Sequence, residues 1–270
     1  GAMFGVVPKS IWNKTNPADA NNRIDIASRC LLIEDGNRLI LIDTGMGTKQ
    51  SEKFFSHYNR WGDHSMDAAL ASNGFCKDDI TDVFLTHLHF DHCGGSVQWN
   101  SDKTGYEIAF KNATFWSNKE HWQWATLPNK REQASFLTEN IMPIEASGHL
   151  KYIPVPDKDI LRQTPLGFDV FFANGHTDKQ MIPMIKYKGE TICFMADLLP
   201  TAGHLSVPFV MGYDTRPLLT LDEKDRFLKL AADENYFLLL EHDAHNELIT
   251  VKHTEKGVRL DAVHPFNTLF

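Results

Sequence analysis

The 270-residue chain lacks long hydrophobic runs, Cys-x-x-Cys pairs and an excess of positive charge. No segment approaches the roughly 18 consecutive apolar residues of a membrane-spanning helix, so we expect no membrane association. Lys and Arg number 27 against 35 Asp and Glu, and the net charge of −8 disfavours nucleic acid as a partner. The four scattered cysteines predict reduced thiols and a cytoplasmic protein.

The sequence also has no internal repeat and no Pro/Gly/Ser linker. We therefore predict a single α/β domain over residues 1–270, with an N-terminal arm at 1–28 and a Trp-rich insertion or lid at 99–150. Exposed aromatic residues around Trp12 or in the insertion would allow a homodimer.

Short apolar runs bounded by turn residues predict the strands. Asp35-Gly36-Asn37 joins two of these runs as a hairpin, and Ser65 can cap a helix that Gly74 ends. A buried strand over 82–85 follows, and the later strands fall at 168–172, 181–187, 190–196, 236–240, 249–253 and 258–263. Thr220 and Glu223 form a capping-box signature, which predicts a helix that begins there and reaches about Glu234.

The densest chemical motif follows the strand at 82–85. It contains His87, His89, Asp91 and His92, three imidazoles and a carboxylate within six positions. In an extended segment His87 and His89 point to the same side, and the turn at Asp91-His92 directs a second pair of ligands toward an adjacent point. The motif therefore predicts two neighbouring metal sites. Nitrogen and oxygen ligands suit zinc, but also manganese, cobalt or iron.

Three further candidate ligands lie at predicted strand ends: His176, Asp197 and His242. Each would be a weak signal alone. Together with the motif they supply the seven ligands that a dinuclear site needs.

The motif H-x-H-x-D-H, a later Gly-His, an Asp and a final His resemble those of the metallo-β-lactamase-fold hydrolases. The resemblance extends from Arg29 onward and includes Asp43-Thr44-Gly45. It implies an αββα sandwich of two mixed sheets with two Zn²⁺ at one edge. By this resemblance His87, His89 and His176 hold the first metal, Asp91, His92 and His242 hold the second, and Asp197 bridges them.

Two adjacent divalent ions lower the pKa of a shared water, and the resulting hydroxide attacks a carbonyl or phosphoryl centre. Asp91 is either a proton shuttle or a ligand only. Asp243 could orient the His242 imidazole.

The segments 197–205 and 210–214 and the opening 4–8 resemble the branch that contains N-acyl homoserine lactone lactonases and methyl parathion hydrolase-like enzymes. This implies a small-molecule substrate with a lactone or related ester group. In such lactonases a tyrosine hydroxyl binds the substrate carbonyl, and Tyr213 or His204 could do so here. Alternatively, Tyr213 packs its ring locally and His204 acts only through hydrogen bonds. Some of the aromatic and apolar residues would suit an acyl-chain pocket: Trp116, Trp122, Trp124, Phe209 and Met211.

Several other reactions remain open at this stage. A bridging Asp197 argues against a true β-lactamase, whereas a phosphotriesterase and a glyoxalase II-like thioesterase are compatible with the ligands. An alternative of another class is a persulfide dioxygenase, which resembles this pattern but binds one iron through the equivalents of His87, His176 and Asp197.

Overall fold

The computed structural model describes residues 1–269 and divides the chain into two compact units. The N-terminal unit is Cys30–Pro154, and the C-terminal unit combines the arm Gly1–Arg29 with the chain from Val155 onward. The arm contains helix α1 (Lys9–Trp12). No helix within residues 1–269 has both the length and the apolar character needed to cross a membrane.

The strands of the N-terminal unit are β1 (Leu31–Asp35), β2 (Arg38–Ile42), β3 (Asp82–Phe84), β4 (Val97–Trp99), β5 (Tyr106–Ile108), β6 (Thr114–Ser117) and β7 (Leu150–Tyr152). Five of them form a mixed sheet in the order β1-β2-β3-β6-β7, and β4 and β5 form a separate two-stranded sheet. The helices of the unit are α2 (Glu52–Ser56), α3 (Met66–Ser72), α4 (Phe90–Cys93), α5 (Lys119–Thr126) and α6 (Thr138–Ala146).

Local sequence chemistry explains these boundaries. Strands β1 and β2 pair antiparallel across the Gly36-Asn37 turn, which confirms the predicted hairpin. The Ser65 hydroxyl accepts a hydrogen bond from the Ala68 amide at 3.1 Å, which confirms the predicted start of α3. Strand β3 is buried on both faces, as expected for a strand between two parallel neighbours, and the predicted buried strand over 82–85 is confirmed.

The prediction of an insertion over 99–150 is wrong in part. This segment supplies two strands of the five-stranded sheet: β6 pairs parallel with β3, and β7 pairs parallel with β6. Trp116 is buried on β6, and Trp122 on α5 belongs to the hydrophobic core of the unit. The aromatic residues that suggested a lid therefore belong to the core.

The elements of the C-terminal unit are β8 (Ile160–Leu161), β9 (Asp169–Ala173), β10 (Gln180–Tyr187), β11 (Glu190–Phe194), α7 (Pro217–Asp233), β12 (Phe237–Leu239), β13 (Leu248–Thr254), β14 (Gly257–His264) and α8 (Phe266–Leu269). The strands form one seven-stranded mixed sheet in the order β14-β13-β12-β11-β10-β9-β8. The strand predictions for this half are confirmed to within a few residues. The predicted capping box is wrong, because α7 already begins at Pro217 and both Thr220 and Glu223 are buried inside it.

The N-terminal arm packs on its own small hydrophobic cluster. Phe4 and Trp12 stack with ring centroids 5.1 Å apart, and Met3 and Met211 complete the buried group. Trp12 is only 2% exposed, so it offers no free surface for the homodimer contact suggested from the sequence.

Replacing Trp12 with alanine removes the largest side chain of this cluster. We expect Trp12→Ala to lower the free energy of unfolding by about 3–5 kcal/mol, the usual cost of truncating a buried aromatic side chain. Chemical denaturation measures the change. Val6, which is 96% exposed in the same arm, provides the matched control, and an equal loss in Val6→Ala would contradict the argument.

Candidate metal ligands

The candidate ligands of the N-terminal unit follow two parallel strands that end together. Ile42 at the end of β2 pairs with Phe84 at the end of β3, so Asp43 and Thr86 emerge at the same sheet edge. The Asp43 carboxylate accepts hydrogen bonds from the Thr86 amide at 2.8 Å and from the Thr86 hydroxyl at 2.6 Å. This contact fixes the backbone immediately before His87.

Asp43 also orients a histidine of the motif. Its Oδ2 accepts a hydrogen bond from His92 Nδ1 at 2.9 Å, and both side chains are fully buried. Because a carboxylate can only accept, the His92 proton lies on Nδ1 and Nε2 keeps its lone pair. Asp43 has a φ of 56°, a left-handed conformation that is uncommon outside glycine and is often found at functional sites.

His87 and His89 bring two acceptor nitrogens face to face. Thr86 uses its hydroxyl proton on Asp43, so it accepts from His87 Nδ1 at 3.1 Å and leaves the lone pair on His87 Nε2. The carboxylate of Glu132 lies 3.5 Å from His89 Nε2 and favours the proton there, which leaves the lone pair on Nδ1. His87 Nε2 and His89 Nδ1 are 3.1 Å apart. A cation that binds both nitrogens would remove the repulsion between these two lone pairs.

Asp91 and His92 lie on the single turn of α4, directly after His89. Asp91 Oδ2 is 3.9 Å from His92 Nε2, and the Asp91 side chain is 32% exposed, whereas His92 is buried. Cys93 is not a ligand candidate, because burial raises the pKa of its thiol to about 12 and its Sγ donates to the Leu88 carbonyl.

The candidate ligands of the C-terminal unit also meet at one sheet edge. Strands β11 and β12 are parallel, and β9 runs in the same direction because both β9 and β11 pair antiparallel with β10. His176, Asp197 and His242 each follow the carboxyl end of one of these three strands. Ala196, which precedes Asp197, has a φ of 41°, so the backbone is strained where the carboxylate is presented.

Asp197 faces two histidines at once. Its Oδ2 lies 3.0 Å from His176 Nε2, and its Oδ1 lies 3.0 Å from His242 Nε2. His176 donates from Nδ1 to Asp214 at 2.9 Å, and His242 donates from Nδ1 to the Ala27 carbonyl at 2.9 Å. Each Nε2 atom therefore faces a carboxylate oxygen, and it can act as a ligand when a metal ion takes the place of its proton.

The charges around His176 favour a cation at this point. Burial alone lowers the pKa of the imidazole, but the Asp197 and Asp214 carboxylates outweigh burial and raise that pKa to about 10. A metal ion can supply the same positive charge as the proton. The donor set of imidazole nitrogens and carboxylate oxygens fits a divalent metal, and it does not select zinc over manganese, cobalt or iron.

The two predicted substrate-binding residues lie in different environments. Tyr213 is 53% exposed at the surface of the C-terminal unit. His204 is buried, stacks on Phe4 with centroids 4.3 Å apart, and has both ring nitrogens in hydrogen bonds, to Thr201 Oγ1 and the Met3 carbonyl. These contacts favour the alternative in which His204 acts through hydrogen bonds.

Two sequence interpretations need correction. Asp243 does not contact the His242 ring through its carboxylate, which instead accepts from the amides of Ala202, His245 and Asn246. The acyl-pocket residues belong to two separate clusters: Trp122 and Trp124 pack with the core of the N-terminal unit, and Phe209 and Met211 pack with the arm.

Sequence reasoning missed the residues that orient the ligands. Glu132 and Asp214 are single acidic residues in unremarked positions, and the Ala27 carbonyl is a backbone group. His121, which has no motif context in the sequence, is buried and accepts a hydrogen bond from the Leu88 amide at 2.9 Å, inside the motif. Only Asp43 had a signal, because the family resemblance includes Asp43-Thr44-Gly45.

A mixed α/β fold with histidines and carboxylates grouped at strand ends is typical of a metal-binding protein. The chain matches the Metallo-beta-lactamase superfamily over residues 24–242 and belongs to it. It is thus a hydrolase of a metal-dependent superfamily, as expected from the motifs.

Solved structures share this fold. A probable metal-dependent hydrolase from Staphylococcus aureus is 28% identical, with a TM-score of 0.84 over 100% of this chain and 93% of that chain. AidC, a dizinc quorum-quenching lactonase, is 23% identical, with a TM-score of 0.74 over 96% of this chain and 86% of that chain. At the latter identity the likeness shows the fold alone.

One curated relative matches over a short segment. Integrator complex subunit 11 of Danio rerio is 29% identical over 94 residues, which cover 35% of this chain and 14% of that protein. The match thus takes in only a small part of the relative's length.

Removing the negative charge of Asp43 should weaken metal binding. In Asp43→Asn only one acceptor oxygen remains for three donors, and an amide turned toward His92 would favour the proton on Nε2, the ligand atom. We expect metal affinity to fall by about 10- to 100-fold in a chelator competition. Asp35→Asn, an exposed carboxylate at the β1-β2 turn, should leave the affinity unchanged, and unchanged affinity in Asp43→Asn would refute the assignment.

His204 should make folding stability depend on pH. Burial lowers the pKa of its imidazole from 6.5 to about 4, so below pH 6.5 the unfolded chain binds a proton that the folded chain does not. Stability from this group is complete above pH 6.5 and falls by up to about 3 kcal/mol as pH drops toward 4. Denaturation curves of wild type and His204→Gln should therefore differ in slope over this range, whereas the exposed His57→Gln should match wild type.

Proposed function

We propose that the protein is a dinuclear metal-dependent hydrolase that opens the ring of an N-acyl homoserine lactone. The proposed ligands are His87, His89 and His176 for one metal, Asp91, His92 and His242 for the other, and Asp197 shared by the two. Two divalent ions bound by these residues would supply a nucleophile from water at neutral pH and polarise the substrate carbonyl. Zinc is the proposed metal, by likeness to the dizinc lactonase fold.

The observation that carries the two-metal proposal is the position of Asp197. Each of its oxygens faces the Nε2 of a different histidine at 3.0 Å, which is the arrangement expected of a carboxylate that bridges two ions. A mononuclear site would need only one of these contacts. The opposite nitrogen of each ring donates to a fixed acceptor, Asp214 for His176 and the Ala27 carbonyl for His242, so neither imidazole needs to reorient when metal binds.

Asp91 is proposed to transfer the proton. Its side chain is partly exposed while the neighbouring histidines are buried, so its carboxylate can reach both solvent and a bound substrate. When the lactone C–O bond breaks, the leaving alkoxide oxygen needs a proton, and Asp91 can deliver the one that it takes from the attacking water.

An aromatic face next to the motif supports an acyl substrate. It consists of Phe54, Tyr58 and Phe90, with ring centroids 5.0–5.3 Å apart. Phe90 lies between His89 and Asp91 in the chain, and the three rings are all partly or fully accessible. This face, and not the Trp-rich residues suggested from the sequence, is our candidate contact for an apolar acyl chain.

The experiment is proton release on adding N-hexanoyl homoserine lactone to metal-reconstituted protein, followed in a pH-stat. We expect wild type to release one proton per lactone opened, because the product is a carboxylic acid, and the His87→Ala, Asp197→Ala double variant to release none. Asp222→Asn, an exposed change on α7, is the control that should retain activity.

Metal analysis decides between the outcomes. Two ions per chain without proton release would exclude the lactone and leave thioesters and phosphotriesters as substrates of the dinuclear hydrolase. A single iron per chain with oxygen consumption would overturn the proposal in favour of persulfide oxidation.

A further inference from the structure

Helix α7 buries charged side chains whose partners lie near a candidate ligand. Glu223 and Lys224 are adjacent on the helix and each is 1% exposed. Burial raises the pKa of the Glu223 carboxyl, so holding an anion here has a free-energy cost that its hydrogen bonds must offset. These bonds come from the Asn174 amide at 2.8 Å and the Gly175 amide at 2.8 Å, the two residues before His176.

The same backbone segment is held from its other side. The amide of Arg216 donates to the Gly175 carbonyl at 2.8 Å, and the amide of Thr215 donates to the His176 carbonyl at 3.1 Å. The Arg216 guanidinium donates to the Asn174 carbonyl at 2.8 Å. Backbone groups of residues 174–176 are thus bonded to the start of α7 and the turn before it.

Close packing makes this arrangement specific. A Cβ atom built on Gly175 would lie 2.3 Å from the Thr220 backbone nitrogen, which is closer than Cβ atoms approach other atoms in proteins. The backbone of the loop therefore packs directly on the helix. Asp214, just before α7, holds the imidazole itself: its Oδ1 accepts from His176 Nδ1 at 2.9 Å, and its Oδ2 accepts from the Met211 amide at 3.1 Å.

We propose that Asp214 and Glu223 are positioning residues that together fix His176 as a metal ligand, Asp214 by setting the ring tautomer and Glu223 by fixing the preceding backbone. The inference rests on the proposed function, because it takes His176 as a ligand of one of two metals. Residues 214–223, which include the first part of α7, thus hold both the ring of His176 and the backbone before it in place.

The test uses cobalt(II) titration of the metal-free protein, with visible absorption to report ligand geometry and ¹⁵N NMR of the histidine rings to report the tautomer. In Glu223→Gln one carboxylate oxygen is replaced by an NH2 donor, which cannot accept the bonds that Oε1 now receives from the backbone and side-chain amides of Asn174. We expect affinity at one of the two cobalt sites to fall about 10-fold, with a shifted absorption band, while the other site is unchanged.

Asp214→Asn tests the tautomer separately. An amide nitrogen turned toward His176 would donate to Nδ1 and move the ring proton to Nε2, which blocks the ligand atom. We expect the Nδ1–H signal of His176 to disappear in the metal-free protein at a pH where the ring is neutral, and cobalt affinity at one site to fall about 10- to 100-fold. This variant keeps the proposal testable if Glu223→Gln does not fold.

Two controls separate positioning from stability. Lys224→Met disturbs the same helix without contacting residues 174–176, since Lys224 donates to the carbonyls of His204, Ser206 and Phe209, and Asp222→Asn changes an exposed carboxylate. Both should bind cobalt as wild type does. If Glu223→Gln and Asp214→Asn lose stability but keep wild-type cobalt affinity, spectrum and tautomer, the proposal is wrong. If wild type itself binds fewer than two cobalt ions, the proposed function fails instead.

Discussion

The arrangement on which the candidate ligands depend is the fixing of one nitrogen of each imidazole by an acceptor. Asp43, Asp214 and the Ala27 carbonyl each accept from the Nδ1 of a histidine, and Asp43 acts on His87 indirectly through the Thr86 hydroxyl. In the neutral ring the remaining nitrogen is then an acceptor. Neighbouring acceptors 3.0–3.1 Å apart repel each other until a proton or a metal ion binds between them. Residues that are not themselves ligands thus orient the nitrogens that would bind the metal.

Strand geometry explains why these groups converge. In each unit the polar residues follow parallel strands whose carboxyl ends coincide, so residues far apart in sequence emerge at one edge. Left-handed backbone at Asp43 and Ala196 then turns the chain sharply at that edge. Such conformations persist only where the surrounding contacts hold them.

Many of the strands and candidate ligands were predictable from short sequence patterns. The H-x-H-x-D-H motif, the hairpin at Gly36-Asn37 and the strand ends before Asp197 and His242 all have short-range signals in the sequence. The segment 99–150 was misread because β6 has only four residues and its two aromatic residues, Phe115 and Trp116, are adjacent and do not alternate with polar residues, so period-two patterning was too short to detect.

The wrong prediction of a capping box at Thr220 and Glu223 has a different cause: a short sequence pattern cannot show which distant groups a side chain will contact. Thr220 and Glu223 have the spacing that caps a helix, but the helix begins one turn earlier, at Pro217, whose fixed φ suits the first helical position. Glu223 is therefore free to bind backbone amides from a distant loop, and no local pattern distinguishes an acid that caps its own helix from one that caps another segment. The partners of a buried charge are set by tertiary structure, because the free-energy cost of burying it can be offset by any donor that the fold brings within reach. Asp214 and Glu132 are further examples. Neither stands in a recognisable sequence motif, and each has a role in orienting an imidazole only because the fold places that imidazole beside it.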